Sequence, residues 1–472
     1  MSAETAVAPF RRAFAAVVAV LVVFCLAFLG LTWFQGPKLS SAQLDTQAVV
    51  ASSGQQLRMF ANQSLAQVDA SQVSVEPAAA FSVDTVGDIV SITFEQRLGY
   101  GLDYAVTVSG VTSLHNTSDA VFRYEFTTDA RPVFHLDRAD PETGEPDRVM
   151  RSTLDAKGLS GQESVYSAQG IMDFTVIGQA LAVITREGEQ GAEQHHLSLV
   201  SLADGMVEEI VLPEPGTLDE LRSGGSAALG FRFTPESTRA TGEGVHTLMW
   251  IDLEGSHVPQ TVAGIDGSAL QPIDWRFLPS GELLALSGDN VLQRVDPTGE
   301  SPTLPLGDYQ GIESVSADGS TAIVRDLYDT ILLVLDDSAG GVPGDELPFG
   351  PTPIDGVSPF GGQVALLLEG PARVQKVSVF DEGSGFFEGK IVVDDGAVSR
   401  ILFESVPGTT SIEDFTVSPN GQFVVVEVIP DVSAMVSDAY YPLARPTSIT
   451  TRFIDLVSGA VVAEVAGFDV EW

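Results

Sequence analysis

The sequence predicts an all-β chain carried behind one apolar helix. Three observations lead there: a run of 22 residues without charge near the start, short alternating apolar and polar runs after it, and a segment that recurs down the rest of the chain. At 472 residues the chain exceeds one ordinary core and is expected to hold two folded parts. Its 44% hydrophobic and 19% charged residues supply core material and exclude wholesale disorder. With 64 Asp and Glu against 24 Lys and Arg, the net charge is −40. Such a chain repels phosphate backbones, and no basic cluster beyond Arg11-Arg12 interrupts the excess, so nucleic-acid binding is excluded.

The uncharged run Ala13–Phe34 spans about 33 Å as a helix, enough to cross a bilayer core. Arg11 and Arg12 precede it, and Lys38 is the only basic residue close behind. The positive-inside rule therefore keeps residues 1–12 in the cytoplasm and everything from about Pro37 outside. The expectation is a single-pass cell-membrane protein, its bulk extracytoplasmic and residues 13–34 its membrane contact. A cleaved signal peptide competes, with Ser40-Ser41-Ala42 as the site, but the run exceeds the usual signal core. The single Cys, Cys25, lies within it, so the exported part can form no disulfide or thiolate metal site.

Between 38 and 130, β-rich runs fall at Gln47–Ala51, Gln56–Ala61, Gln72–Val75, Ile89–Phe94, Tyr104–Val108 and Val121–Thr127, bounded by turn residues. Ile89–Phe94 and Tyr104–Val108 alternate as half-buried antiparallel strands do. Six or seven short strands in such a length predict an Ig-like β-sandwich. The series Val73-Ser74-Val75-Glu76-Pro77, Ile92-Thr93-Phe94, Tyr104-Ala105-Val106-Thr107-Val108-Ser109-Gly110-Val111 and Tyr124-Glu125-Phe126-Thr127-Thr128 resembles the bacterial Ig-like domain of surface-layer proteins. That resemblance implies a spacer or adhesive module without catalytic residues.

From 131 to 472 the recurring segment is a strand ending in a tight turn. It is found at Ile171–Val176, Gly230–Pro235, Ile273–Gly281, Ile312–Gly319, Ile354–Pro359 and Ile412–Gly421. Its period of roughly 40–60 residues is that of a propeller blade. A third strand ending in a polar turn follows each, at His196–Ser201, Thr247–Asp252, Val291–Asp296, Ile331–Asp336, Val374–Asp381 and Thr450–Asp455. These landmarks resemble the WD40-like and TolB-like β-propellers. Gly467–Trp472 repeats the first-strand pattern with nothing behind it, while Pro132–Leu136 and Arg148–Leu154 read as outer strands lacking a first strand. The expectation is a seven-bladed β-propeller with a composite blade joining both ends; six blades is the alternative. Turns after second and fourth strands share one end of such a ring. The long insertions Glu187–Gln194, Pro213–Gly225 and Pro430–Thr447 are expected there, making that end the candidate working face.

No Gly-x-Ser-x-Gly elbow, zinc-helix histidine spacing or phosphate-binding glycine loop occurs, so no catalytic residue is assigned and the chain is read as a non-enzyme. Candidate binding residues are Tyr440, Tyr441, Asp431 and Asp438 in the longest insertion, and Glu214 and Asp219 in the preceding one; the tyrosines otherwise fold back as a cap. No cofactor is expected. Ca²⁺ is the one ion suited to the acidic hairpin of Asp137, Asp140, Glu142 and Asp147, which otherwise reads as a solvated turn. The function expected is binding or scaffolding, with the propeller recognising a protein or cell-envelope component. The alternative is an enzyme or a small-ligand or metal sensor at the central channel, where Asp173, Asp274, Glu313, Asp355 and Asp414 end first strands. Such acids otherwise make hydrogen bonds between blades.

Overall fold

The computed structural model describes residues 13–24, 36–114, 116–140, 143–188, 192–225, 227–238, 245–327, 329–336, 341–349, 364–366, 372–394, 398–440 and 444–472. The chain divides into two compact units, Met1–Ala130 and Arg131–Trp472. Residues 13–24 are helical, and among the described residues no helix is long and apolar enough to cross a membrane. The remainder of the expected span, 25–34, lies outside the described residues.

The first unit holds two antiparallel sheets. One orders Leu39–Gln43, Gln56–Ala61, Ile89–Phe94 and Phe81–Val86; the other orders Val73–Glu76, Asp103–Ser113 and Asn116–Thr127. The period-2 alternation turns Leu57, Met59, Val90, Ile92 and Phe94 inward from the first sheet, and Tyr104, Val106 and Val108 from the second. Phe126 joins them, 6.4 Å from Phe94 and stacked 5.6 Å from Tyr104. Burying each such side chain contributes about 1.5–3 kcal/mol. Two sequence expectations are corrected. Gln47–Ala51 is not a strand: Ala48–Ala51 forms one helical turn whose start is held by the Asp45 carboxylate, which accepts the Gln47 and Ala48 amides. Leu39–Gln43 and Phe81–Val86 are strands that the pattern did not reveal, both lying at a sheet edge where one face stays wet.

The second unit is a β-propeller fold. Among the described residues it contains seven four-stranded antiparallel sheets, each packed on the next in chain order, with the last packed back on the first. Sheets two to seven begin at Ile171, Gly216, Pro272, Gly311, Val364 and Ser411 and follow a simple meander. Sheet one is composite: Phe468–Glu471 is its innermost strand, followed outward by Arg131–Asp137, Asp147–Asp155 and Gly158–Ala168. The pairing of the two chain ends read from the sequence is therefore present. Gly467 makes the approach feasible, since a Cβ there would stand 2.5 Å from the Leu136 carbonyl oxygen, and its φ of +122° suits only glycine. Between sheets three and four another close approach is at Gly230, where a Cβ would meet the buried Trp275 indole at 2.6 Å.

Three strand assignments change. Pro213–Gly225 is not an insertion: Gly216–Gly224 is the innermost strand of sheet three, so Gly230–Pro235 belongs to the second strand, Ala228–Pro235. Prolines and glycines at both ends, and a bulge at Asp219-Glu220 with Glu220 at φ 53°, disguised it as a loop. Val374–Asp381 falls in the second strand of sheet six, behind Val364–Leu366, rather than the third. The segment Ile354–Pro359, expected as a first strand, lies outside the described residues.

Phe468 is fully buried in the closing strand, so Phe468→Ala should cost about 3–5 kcal/mol. The measurement is the urea midpoint of the full chain; an unchanged midpoint would mean that this strand does not hold the ring shut.

Candidate functional site

Antiparallel order puts the connections from second to third strands at one end of the ring. Four are long and consecutive around it: 430–449 in sheet seven, 138–146 in sheet one, 188–193 in sheet two and 236–246 in sheet three. The last escaped the sequence reading because its neighbour was misassigned. Side chains tie these loops together. Arg138, with its side chain 1% exposed, pairs with Asp147 at 2.8 Å and with Asp438 at 3.3 Å, and donates to the Ile171 carbonyl. Its guanidinium lies over the Tyr440 ring at 4.7 Å, and Arg186 covers that ring at 4.1 Å. Gln194 reaches Glu236 at 3.3 Å.

The predicted site residues stand around this clasp as follows. Tyr440 is half-buried between two arginines and caps the propeller end; Tyr441 lies outside the described residues. Asp438 is buried, accepting the Tyr440 and Arg445 amides at 3.0 and 2.9 Å. Asp431 is exposed and closes a local turn with Ser433. Glu214 sits on the link between sheets two and three. Of the expected Ca²⁺ ligands, Asp147 is spent on Arg138 and the Ala139 and Ile171 amides, both at 2.9 Å. Asp137 is half-buried, with burial raising its pKa, Asp140 is exposed, and Glu142 lies outside the described residues. Among the described residues no group of three or more His, Cys, Asp or Glu is arranged to hold a metal ion.

Below the clasp, the first strands line the channel. Each of four carries a bulge near its start, and on two of them an acid binds the backbone of the neighbouring sheet. Asp173 accepts the Phe174 amide at 2.8 Å and, across to sheet three, the Leu221 amide at 2.9 Å. Asp274 repeats this with Trp275 at 2.8 Å and Ile312 of sheet five at 3.0 Å. Asp414 holds the Phe415 amide at 2.7 Å, and Glu313 pairs with Arg325 at 3.2 Å. Asp355 lies outside the described residues. Asp219 accepts from Arg232 at 2.6 Å and from His246 Nδ1 at 2.9 Å. Burial pushes its pKa up, but these two partners outweigh it and hold it below the usual carboxylate range. The His246 ring is half exposed, and among the described residues no nucleophile is hydrogen-bonded to it.

Arginines compensate the acids around sheets three to five, but less so where the ring closes. There Asp173, Asp414, Glu427, Asp469 and Glu471 line a cavity of about 250 Å³. Arg445 pairs with two of these acids, 3.0 Å from Asp469 and 3.5 Å from Glu427, and Lys376 donates to the Glu413 carbonyl. Glu471 is tied through Thr175 at 3.3 Å to Ser223 at 3.2 Å, a chain across three sheets. Burial, then the negative charge of Asp469, raises the Asp173 pKa to about 7; burial, then Asp173, raises that of Glu471 to about 8. Glu427 is pushed upward by burial and Asp469. The carboxyls are ringed by protein and by one another, so the ionised form is poorly solvated and the proton is held more tightly. Sequence spacing pointed to Asp173 and Asp414; Glu427, Asp469 and Glu471 needed the ring closure to be found.

The fold and this rim define a propeller chain with an acidic channel mouth and a clasped, loop-bearing end. No known protein family and no curated protein matches the chain. Among solved structures it is similar to an uncharacterized protein of Listeria monocytogenes, with 9% identity over 63% of this chain and 88% of that one, TM-score 0.40. It is also similar to a putative phosphatase of Bacteroides thetaiotaomicron, at 10% identity over 83% and 94%, TM-score 0.30. A third similarity is to the β-propeller domain of the Trilobed protease of Pyrococcus furiosus, at 10% identity over 92% and 99%, TM-score 0.28.

Two outcomes follow from the charges. Arg138→Met strands Asp147 and Asp438 in the interior and should cost about 3–5 kcal/mol by chemical denaturation, unlike an exposed control such as Arg123→Met. Asp173 and Glu471 bind protons more tightly folded than unfolded. Their contribution is full below about pH 4 and lost as pH rises through 7 to 8. Buried His135 works oppositely: burial lowers its pKa to about 4, so it removes stability as pH falls from about 6.5. The paired variant Asp173→Asn/Glu471→Gln should flatten the fall in melting temperature between about pH 4 and 8; an unaltered slope would refute protonated channel carboxyls.

Proposed function

We propose that the chain is a non-enzymatic, membrane-anchored extracytoplasmic binding protein. In this reading residues 13–34 anchor it, an Ig-like sandwich at 38–130 forms its stalk, and a seven-bladed propeller at 131–472 recognises a protein or envelope component. The observation that carries the reading is the clasped rim: buried Arg138 pairs with buried Asp438 of the longest connection, and the Tyr440 ring sits between Arg138 and Arg186. Preorganised loops lose little entropy on binding, which is how such a rim gains affinity. Val432, Met435 and Val436 stand exposed on the longest of them. Cross-linking of the full chain in its native membrane should give links from 430–447 to one reproducible protein. Links scattered over the sandwich and the outer strands alone would sink the rim assignment.

A second reading is favoured by the carboxyl-lined cavity beside Arg445: a small-ligand or metal sensor at the channel. Calcium titration of the full chain, followed by calorimetry, decides it. A saturable heat lost in Asp173→Asn/Asp414→Asn supports the sensor; a flat trace removes Ca²⁺ from consideration.

A further inference from the structure

The second-to-third hairpin of sheet six overhangs the same end of the ring. Phe380 faces Phe387 across its two strands, ring centroids 5.3 Å apart, and Phe386, paired with Asp381, alternates to the other face. All three are at least half exposed, at 50%, 54% and 56%. Aromatic rings held out in water on a two-stranded ribbon are costly unless something covers them. The apolar surface continues onto sheet seven. Gly389 and Ser405 exchange hydrogen bonds, which sets Phe387 beside the loop carrying exposed Val406. Gly408 lies against the Phe386 ring, and the Thr409 carbonyl accepts the amide of exposed Val432 at 2.9 Å. Phe380 and Phe387 on one face of the hairpin, Phe386 on the other, and Val406 and Val432 beyond them thus make a broken strip of exposed apolar residues from the hairpin to the longest rim loop.

The charge around the strip is of a single sign. Residues 377–389 and 401–440 contain no Lys, Arg or His, while Asp381, Glu382 and Asp431 border the aromatics. Lys390, further along the same strand as Phe387, is already shared by Glu388 and Glu404. A second copy of a chain with net charge −40 would be repelled here, and so would an anionic bilayer. From this complementarity we infer that the strip docks a cationic, apolar polypeptide segment of a partner protein, in which Lys or Arg alternates with large apolar residues. The inference rests on the rim-binding reading and adds the chemistry of its partner. The apolar side chains cover the phenylalanines and Val432, while the basic ones meet Asp381, Glu382 and Asp431.

The test uses the full chain in phosphatidylcholine nanodiscs and fluorescence anisotropy with three labelled twelve-residue peptides: alternating Lys and Leu, alternating Lys and Ser, and alternating Glu and Leu. The Lys/Leu peptide should bind at least tenfold tighter than either control. Phe380→Ser/Phe387→Ser should erase that preference, and Asp381→Asn/Glu382→Gln/Asp431→Asn should flatten its salt dependence, with both variants melting as the parent does. Equal binding of the Lys/Ser peptide, or full retention by the phenylalanine variant, overturns the proposal, because any acidic surface attracts a polycation. Phenylalanine-dependent capture by phosphatidylglycerol vesicles, or a phenylalanine-dependent dimer in sedimentation, overturns it in favour of lipid or of a second copy. If native cross-links still run from 430–447 to a protein while the Lys/Leu peptide fails, the rim reading survives and only its cationic partner is lost.

Discussion

The propeller depends on one constraint: a ring of sheets must have no loose end. An antiparallel sheet offers unpaired amides and carbonyls at its edges, and a meander of such sheets leaves its first sheet without an inner strand. Phe468–Glu471 supplies that strand, hydrogen-bonded to Arg131–Asp137. Much of the local chemistry serves this junction. Phe468 lies under the Arg138 and Arg445 guanidiniums, at 5.4 and 4.6 Å, Gly467 lets the backbones approach, and Thr451 donates to the Gly467 carbonyl at 2.7 Å. The clasp of the rim loops and the carboxyl-lined cavity both grow from the same seam, because the closing strand brings Asp469 and Glu471 to face Asp173 and Asp414.

How much of this was legible depended on how local the determining physics is. First strands such as Pro272–Phe277 and Ser411–Val417 could be read because a β-branched or aromatic run ends in a Pro/Gly turn within ten residues. Gly216–Gly224 could not, because a bulge at Asp219-Glu220 interrupts its alternation and its ends look like loop. The closure could be read, being a repeat unit split between the ends. The identity of the channel acids was half legible. Asp173, Asp274 and Asp414 follow from the repeat, but whether each holds a neighbour's amide or faces the cavity depends on which sheet stands next to it.

The candidate binding residues teach a similar lesson. Tyr440 and Asp438 were conspicuous as polar and aromatic residues in a long loop, and such loops usually carry function. Asp438 is buried and Tyr440 half-buried, and both help to hold the loop's shape. The surface left outward is the less conspicuous one, Val432, Met435 and Val436, with the hairpin phenylalanines of sheet six beside it. A pair Phe386-Phe387 in a strand reads as core until the hairpin's length is compared with that of its neighbours.

The chain of hydrogen bonds from Glu471 to Thr175 crosses 296 residues of sequence. A contact so distant carries a loop-closure cost that grows only with the logarithm of its length, yet everything between must be in order before it can form. Until then the edge of Arg131–Asp137 stays open to any passing strand, and the propeller resembles a necklace with its catch undone. Opening is as demanding as closing, since the inner strand leaves only when sheet one and the clasp loosen together. The lifetime of the closed ring is therefore expected to be set by the rate at which this one strand leaves.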